Sequence, residues 1–320
     1  MRFTLDTDHL DFAASVDALL GKADLPAVIR AWNTGDTAPG LAVWSQLAET
    51  GVSALGIAES HGGIGDPIAL AVAAEQLGRH AVPGPIAETL AVAPTLLAAV
   101  APDRLEALAE GALATVAAAP ITPYAVDADV ADTVLALDAD TVSLATPGEQ
   151  HVSVDPARKL FTAVAGEALG TVDDAQRGAA EDLGALVTAA QAQGLGRMML
   201  EMSVDYASQR KQFGRAIGSQ QSIKHHLSGV AVDVEMAQPL LHAAALAVRD
   251  GTDTARRDVS AAKVACTRAA YHSARIALQV HGAIGYTQEH DLSLYLTKAR
   301  ALVTAWGTER VHRDRVMEAL

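Results

Sequence analysis

The sequence has a single cysteine, Cys266, and few aromatic side chains, which make up 4% of its 320 residues although half of all residues are hydrophobic. One cysteine excludes a disulfide within the chain and is typical of a reducing cytoplasm. No metal-ligand spacing of cysteine and histidine surrounds Cys266, so we interpret it as a small packing residue. A core poor in aromatic rings must be built from Ala, Val and Leu, which favours closely packed helices.

Positive charge and long hydrophobic runs are also scarce. The chain has 24 Lys and Arg against 38 Asp and Glu, a net charge of −14, and no long run of basic residues. The negative electrostatic potential of such a chain repels nucleic acid phosphates, so we expect no nucleic acid partner. The apolar runs near residues 68–74 and 86–101 are interrupted by Glu75, Glu88 and Pro94, which excludes a membrane span. The acidic start of the chain does not resemble a secretory signal, and we expect a cytoplasmic protein.

Several signatures of common enzyme classes are missing. No His-x-x-x-His pair with a nearby carboxylate occurs, and the adjacent His225 and His226 point in different directions on a helix, so no metal site is predicted. The chain lacks the Gly-x-Ser-x-Gly turn of serine hydrolases. Gly194 and Gly196 lie inside a helical pattern, which argues against a Rossmann fold. The glycine-rich turn at residues 59–66 lacks the Lys-Ser/Thr of a P-loop and is only a weak nucleotide candidate.

Hydrophobic periodicity predicts a mainly α protein with a small β segment. Helical spacing occurs at residues 8–21, 41–49, 67–79, 86–100 and 103–112, and again throughout residues 182–320. Between them, short alternating runs at residues 133–137, 141–144 and 161–164 read as half-buried strands. We therefore predict three domains: a helical one over residues 1–115, a small β domain over 116–168, and a four-helix bundle over 169–320.

The chemically suggestive stretch in the bundle is residues 206–214, Tyr-Ala-Ser-Gln-Arg-Lys-Gln-Phe-Gly. Arg210 and Lys211 can neutralise a phosphate, Phe213 can lie against a ring, and Gly214 allows close approach of the backbone to a ligand. By themselves, these residues are equally consistent with a charged, solvated loop between two helices.

A second such stretch, residues 279–286, reads Gln-Val-His-Gly-Ala-Ile-Gly-Tyr at a predicted helix end. Helix capping explains the glycines. Capping does not explain Gln279, whose amide can recognise the polar edge of a ligand.

Taken together, these stretches resemble the acyl-CoA dehydrogenase family over nearly the whole chain. Residues 44–51, 59–66 and 75–79 look like the family's N-terminal helical domain. Residues 210–214 are similar to a loop that contacts FAD from a neighbouring subunit, and residues 279–283 look like the Gln-x-x-Gly-Gly segment that reaches the dinucleotide end of FAD across a dimer interface. The resemblance thus implies these FAD-contacting residues: Arg210, Gln212, Phe213, Gly214, Gln221, Gln279, Gly282 and Ala283.

The family implies FAD-dependent α,β-dehydrogenation of an acyl-CoA thioester, in which a glutamate removes the α-proton. The family's usual Tyr-Glu-Gly-Thr turn reads Ala-Trp-Gly-Thr at residues 305–308, so Trp306 stands where the base belongs. We assign the alternative position of the base, on the preceding alanine-rich helix, to Arg268. Neither side chain accepts a proton at neutral pH, so no catalytic residue is predicted.

The β segment departs from the family as well. The Thr-Glu-Pro…Gly-Ser-Asp and Trp-Ile-Thr loops that hold the flavin ring in the family are missing from residues 115–168. The leading hypothesis is therefore a non-catalytic subunit of a heterotetrameric, actinobacterial steroid-type acyl-CoA dehydrogenase. Its partner would carry the glutamate base and the flavin pocket and would hold most of the acyl-CoA. Two alternatives stay open: a self-sufficient enzyme with a relocated base, such as Glu201 or Glu235, and a flavin-free scaffold or acyl-CoA-binding protein.

Overall fold

A computed structural model describes residues 5–320, which form eleven α-helices and two β-sheets. The helices are α1 Thr7–Leu20, α2 Leu25–Asn33, α3 Ala38–Glu49, α4 Pro67–Arg79, α5 Ala93–Val100, α6 Leu105–Ala109, α7 Asp174–Gln209, α8 Gln221–Arg249, α9 Ala255–His281, α10 Leu292–Leu302 and α11 Glu309–Glu318. The strands are β1 Ala114–Ala118, β2 Ala125–Val126, β3 Thr133–Asp138, β4 Thr141–His151, β5 Leu160–Thr171, β6 Lys211–Gln212 and β7 Arg215–Ala216. The prediction of a mainly α fold with a small β segment is confirmed.

Local capping determines where two of the principal helices, α4 and α7, begin. The Asp66 carboxylate accepts hydrogen bonds from the N–H groups of Ile68 and Ala69, and Pro67 supplies the first residue of α4. The glycine-rich turn at residues 59–66 therefore ends in a helix cap. Asp173 and Gln176 form a reciprocal capping box that starts α7, the 36-residue helix at the centre of the molecule.

Helix α2 and strands β1, β2, β6 and β7 were not predicted, and one helix was predicted too long. Helix α2 is short, and Pro26 in its first turn hides its periodicity. Strand β1 was missed because all of its residues are buried, so they show no alternation. The helix expected at residues 103–112 is the short α6, preceded by a 3₁₀ turn at Pro102–Arg104.

The larger sheet has the strand order β1-β3-β4-β5-β2, with β1 parallel to β3 and the other pairs antiparallel. Strands β4 and β5 extend well beyond their predicted ends. Pro147 and Gly148 predicted the end of β4. The pairing of β4 with β5 nevertheless continues past them, with an irregularity in register between Pro147 and Gln150.

The helices of the C-terminal half pack at close range because their contact faces carry small residues. A Cβ atom on Gly194 of α7 would lie 1.9 Å from the carbonyl oxygen of Glu75 on α4, so only glycine permits this crossing. A Cβ on Gly196 would lie 3.2 Å from Cα of Ala270 on α9. Cys266 is fully buried on α9, and burial raises the pKa of its thiol, as expected for a packing residue. No helix within residues 5–320 is long and apolar enough to cross a lipid bilayer.

Candidate functional site

The segment predicted as a loop after α7 is a small hairpin. Strands β6 and β7 pair through Lys211 with Ala216 and Gln212 with Arg215. Phe213 and Gly214 form the turn with φ angles of +53° and +80°, the pattern of a type I′ hairpin. The side chains of Arg210 and Lys211 are exposed, and neither forms an ion pair with any residue the structure describes. Two unneutralised cations therefore project from this end of the bundle.

Phe213 is unfavourable for folding in two respects. Its side chain is 94% exposed, and its backbone occupies a region that bulky residues rarely adopt. A strained, solvated aromatic residue at a hairpin tip is typical of a contact made outside the chain.

The second motif lies at the C-terminal end of α9. Gly282 ends the helix with a φ of +68°, and residues 282–286 continue as a 3₁₀ turn. The side chains of Gln279 and Ala283 are exposed, as is Gly282. Gln221, the first residue of α8, is exposed as well. All eight residues predicted to contact FAD are therefore at the surface of this chain.

An aromatic cluster that the sequence did not predict joins the two motifs. The ring of Tyr206, near the end of α7, stacks on that of His281 with a centroid distance of 4.3 Å and an interplanar angle of 26°. His290 packs edge-on against both rings. Tyr206 begins one motif and His281 lies inside the other, which was the only sequence signal for this contact.

Trp306 lies in the interior. Its side chain is 1% exposed, and its indole N–H donates a 2.9 Å hydrogen bond to Oε1 of Glu88. The Trp306 carbonyl lies 2.9 Å from Nε2 of His312, which donates to it, and the backbone φ is +51°. The Trp306 ring packs on Gly184 of α7, where a Cβ atom would lie 2.6 Å from Cδ2 of the indole.

Little free volume remains beside the indole. The cavity lined by Glu88, Arg158, Lys298 and Trp306 has a volume of about 10 Å³. Such a volume holds about one water molecule, whereas pockets for small ligands usually measure roughly 300–1,000 Å³. This cavity is therefore too small for a flavin ring or an acyl chain.

Arg268, the other position considered for a base, is at the surface. Its guanidinium pairs with Glu309 at the start of α11. The residue that packs on the Trp306 ring is Gly184, on a different helix. Arg268 is not among the residues that line the cavity beside Trp306.

The two carboxylates considered as relocated bases are both engaged in ion pairs. Glu201 accepts two hydrogen bonds of 2.6 Å from the guanidinium of Arg79. Glu235 accepts one of 2.9 Å from Arg197. Both carboxylates are therefore already occupied as hydrogen-bond acceptors for arginine. Nothing in the geometry singles out either as a catalytic base.

The sequence did not predict a role for Glu88, the carboxylate nearest the expected base position. It begins a π-helical segment, Glu88–Val92, which precedes α5 directly. Besides the indole of Trp306, the guanidinium of Arg158 lies 3.9 Å from Oε1 of Glu88. Sequence reasoning treated Glu88 only as an interruption of an apolar run.

Comparison with known proteins agrees with the architecture. Sequence models of the acyl-CoA dehydrogenase N-terminal and C-terminal domains match residues 6–103 and 180–320, respectively. The acyl-CoA dehydrogenase IpdE2 of Mycolicibacterium smegmatis is 33% identical over 94% of this chain and 95% of its own length. IpdE2 of Mycobacterium tuberculosis is also 33% identical, over 89% of this chain and 88% of its own length.

Solved structures share the fold at low sequence identity. Butyryl-CoA dehydrogenase from Megasphaera elsdenii superposes with a TM-score of 0.86 at 20% identity, over 100% of this chain and 99% of that one. A chain of the ChsE4-ChsE5 complex from Mycobacterium tuberculosis superposes with a TM-score of 0.81 at 21% identity, over 99% of this chain and 98% of that one.

Proposed function

Because this chain belongs to the acyl-CoA dehydrogenase family, we propose that it is the non-catalytic subunit of a heteromeric, FAD-dependent acyl-CoA dehydrogenase. The partner subunit supplies the glutamate base and the flavin pocket, and it binds most of the acyl-CoA. This chain contributes contacts to the ADP portion of the partner's FAD. The simplest assembly contains two copies of each subunit and is cytoplasmic.

One contrast carries the proposal: the nucleotide motifs face outward, while the space beside Trp306 is filled. The cavity beside Trp306 measures about 10 Å³, but Arg210, Phe213 and Gln279 are exposed at one end of the bundle. A catalytic subunit would also need room for a flavin ring and an acyl chain beside its base. A subunit that completes a neighbour's cofactor site needs only the surface residues.

The exposed residues suit the ADP end of FAD chemically. The exposed guanidinium of Arg210 can neutralise a diphosphate through two parallel hydrogen bonds, and the ring of Phe213 offers a face for an aromatic base. Gly214 and Gly282 let the backbone approach closely, and the amide of Gln279 offers both a donor and an acceptor. Bound in the complex, FAD would accept the hydride that leaves the β-carbon of the acyl group.

For the substrate, we propose an acyl-CoA with a bulky, steroid-derived acyl group. The resemblance to actinobacterial steroid-type dehydrogenases supports this choice, and one structural neighbour is described as a steroid ACAD, Tcur3481-Tcur3483, with a TM-score of 0.85. The ChsE4-ChsE5 neighbour is itself a complex of two different proteins, which supports a heteromeric arrangement for this chain.

The test is to purify this chain alone and after coexpression with a full-length acyl-CoA dehydrogenase from the same genome. Flavin absorbance and thioester oxidation are then recorded for both preparations. We expect the chain alone to be colourless and inactive, and the complex to be yellow and active. A yellow, active preparation of the chain alone would overturn the proposal.

A matched pair of arginine variants tests the cross-subunit contact. Arg210→Ala should weaken FAD retention by the complex, because it removes a cation from the diphosphate site. Arg310→Ala removes another exposed arginine, which lies on α11 outside both motifs, and should leave retention unchanged. Equal retention in the two variants would count against the role of Arg210.

A further inference from the structure

We propose that Tyr206 and His281 are positioning residues, whose stacked rings set the Arg210 hairpin and the Gln279 segment at a fixed separation. The inference depends on the proposed function, because it assigns these rings a part in building the surface that contacts FAD. Neither ring is among the residues predicted to contact the cofactor.

The geometry places one ring on each motif. The backbone N–H of Arg210 donates a 2.8 Å hydrogen bond to the carbonyl of Tyr206, so the ring and the arginine share the last turn of α7. His281 lies between Gln279 and Gly282 at the end of α9. The 4.3 Å stack therefore joins two segments that are far apart in the sequence.

The histidine ring is held in a defined orientation. His281 is 5% exposed, and its Nδ1 lies 2.8 Å from the carbonyl of Ala277. A carbonyl only accepts hydrogen bonds, so Nδ1 carries the proton in the neutral ring. The other nitrogen, Nε2, has no hydrogen-bond partner within residues 5–320. Apart from its one hydrogen bond to Ala277, the His281 ring therefore contacts its neighbours through ring packing.

A third ring ties the pair to the start of α10. The ring of His290 is 4.9 Å from that of His281 and 6.3 Å from that of Tyr206, edge-on to both. Its Nδ1 accepts a 3.1 Å hydrogen bond from the N–H of Leu292. The cluster thus joins the ends of α7 and α9 to α10, while the hairpin itself stays exposed. Because the rings hold both segments in place, the surface loses little conformational entropy when it binds the tail of the cofactor.

The test uses the complex with the catalytic subunit and measures the dissociation constant of FAD. Tyr206→Leu keeps apolar bulk but loses the ring, and it should weaken FAD binding about two- to tenfold, the factor that matches the strength of an aromatic pair. Tyr206→Phe keeps the ring and should restore the affinity that Tyr206→Leu loses. His281→Leu and His281→Phe should behave as the same pair.

A positioning role predicts a further result that a purely structural role does not. If Tyr206 acts through Arg210 and Gln279, then Tyr206→Leu should cause no further loss of affinity in a protein that already carries Arg210→Ala and Gln279→Ala. An undiminished loss on that background would overturn the inference, as would wild-type affinity of Tyr206→Leu. If Arg210→Ala and Gln279→Ala themselves leave FAD binding unchanged, the proposed function fails instead.

Discussion

The indole N–H of Trp306 donates a hydrogen bond to the carboxylate of Glu88, and both side chains are almost completely buried. A buried carboxylate is costly unless donors or cations surround it. Here the indole supplies a donor at 2.9 Å, and Arg158 supplies a cation at 3.9 Å. Trp306 thus provides the hydrogen-bond donor that a buried acidic side chain needs.

Trp306→Phe should reduce stability mainly through this hydrogen bond. Phenylalanine keeps most of the ring but leaves Glu88 without its indole donor, which should lower the free energy of unfolding by about 1–3 kcal/mol. The measurement is urea denaturation of the purified protein. Adding Glu88→Leu should recover part of the loss, because the carboxylate that lost its indole donor is then gone. Strictly additive losses would contradict this explanation.

Gly184→Ala should destabilise the protein although alanine favours helices. The new methyl group would lie 2.6 Å from the Trp306 ring and 2.9 Å from a methyl of Val92, and such overpacking costs about 1–3 kcal/mol. Gly229→Ala is the matched control, since no atom outside the neighbouring backbone lies within 4 Å of its Cβ position on α8. There, alanine should stabilise by up to about 1 kcal/mol. Equal changes in melting temperature would show that the indole does not pack as described.

His312 should make stability fall as the pH is lowered below its usual pKa. Burial lowers the pKa of His312 to about 4, and its ring lies between the Trp306 carbonyl and the Ser260 hydroxyl. Unfolded histidine titrates near 6.5, so between pH 6.5 and 4 the unfolded chain binds a proton that the folded chain rejects. The contribution of His312 is complete above pH 6.5 and is lost toward pH 4.

The size of this effect can be isolated with His312→Gln, which keeps a donor and an acceptor but does not titrate. The stability difference between wild type and variant should fall by about 2–3 kcal/mol between pH 7 and pH 4.5. Urea denaturation at several pH values provides the measurement. A difference that does not change with pH would show that His312 is not the group responsible.

Phe213→Asn should separate folding from cofactor contact. Asparagine followed by glycine is favoured in a type I′ turn, so the variant should be as stable as wild type or up to about 1 kcal/mol more stable. It removes the exposed ring, so FAD retention by the complex should fall. Phe213→Tyr keeps the ring and should retain FAD. Full FAD retention by Phe213→Asn would contradict the proposal that the exposed Phe213 ring contacts FAD.

Local signals were sufficient for much of the fold. The bounds of α4 agree with the prediction because Asp66 caps the helix and Pro67 begins it. Gly282 ends α9, as expected, because its positive φ is incompatible with continuing the helix. Prediction failed for β1, whose uniform burial hides its alternation, and for the later half of β4, where Pro147 and Gly148 suggested an early end.

The amino-acid sequence was enough to predict the mainly α architecture and to locate the two motifs, because caps, periodicity and side-chain chemistry are local properties. Only the tertiary structure decided that Trp306 points inward onto Gly184 and Glu88, that Arg268 lies at the surface with Glu309, and that Tyr206 stacks on His281. These contacts join residues distant in the chain, so their distances depend on how whole helices pack.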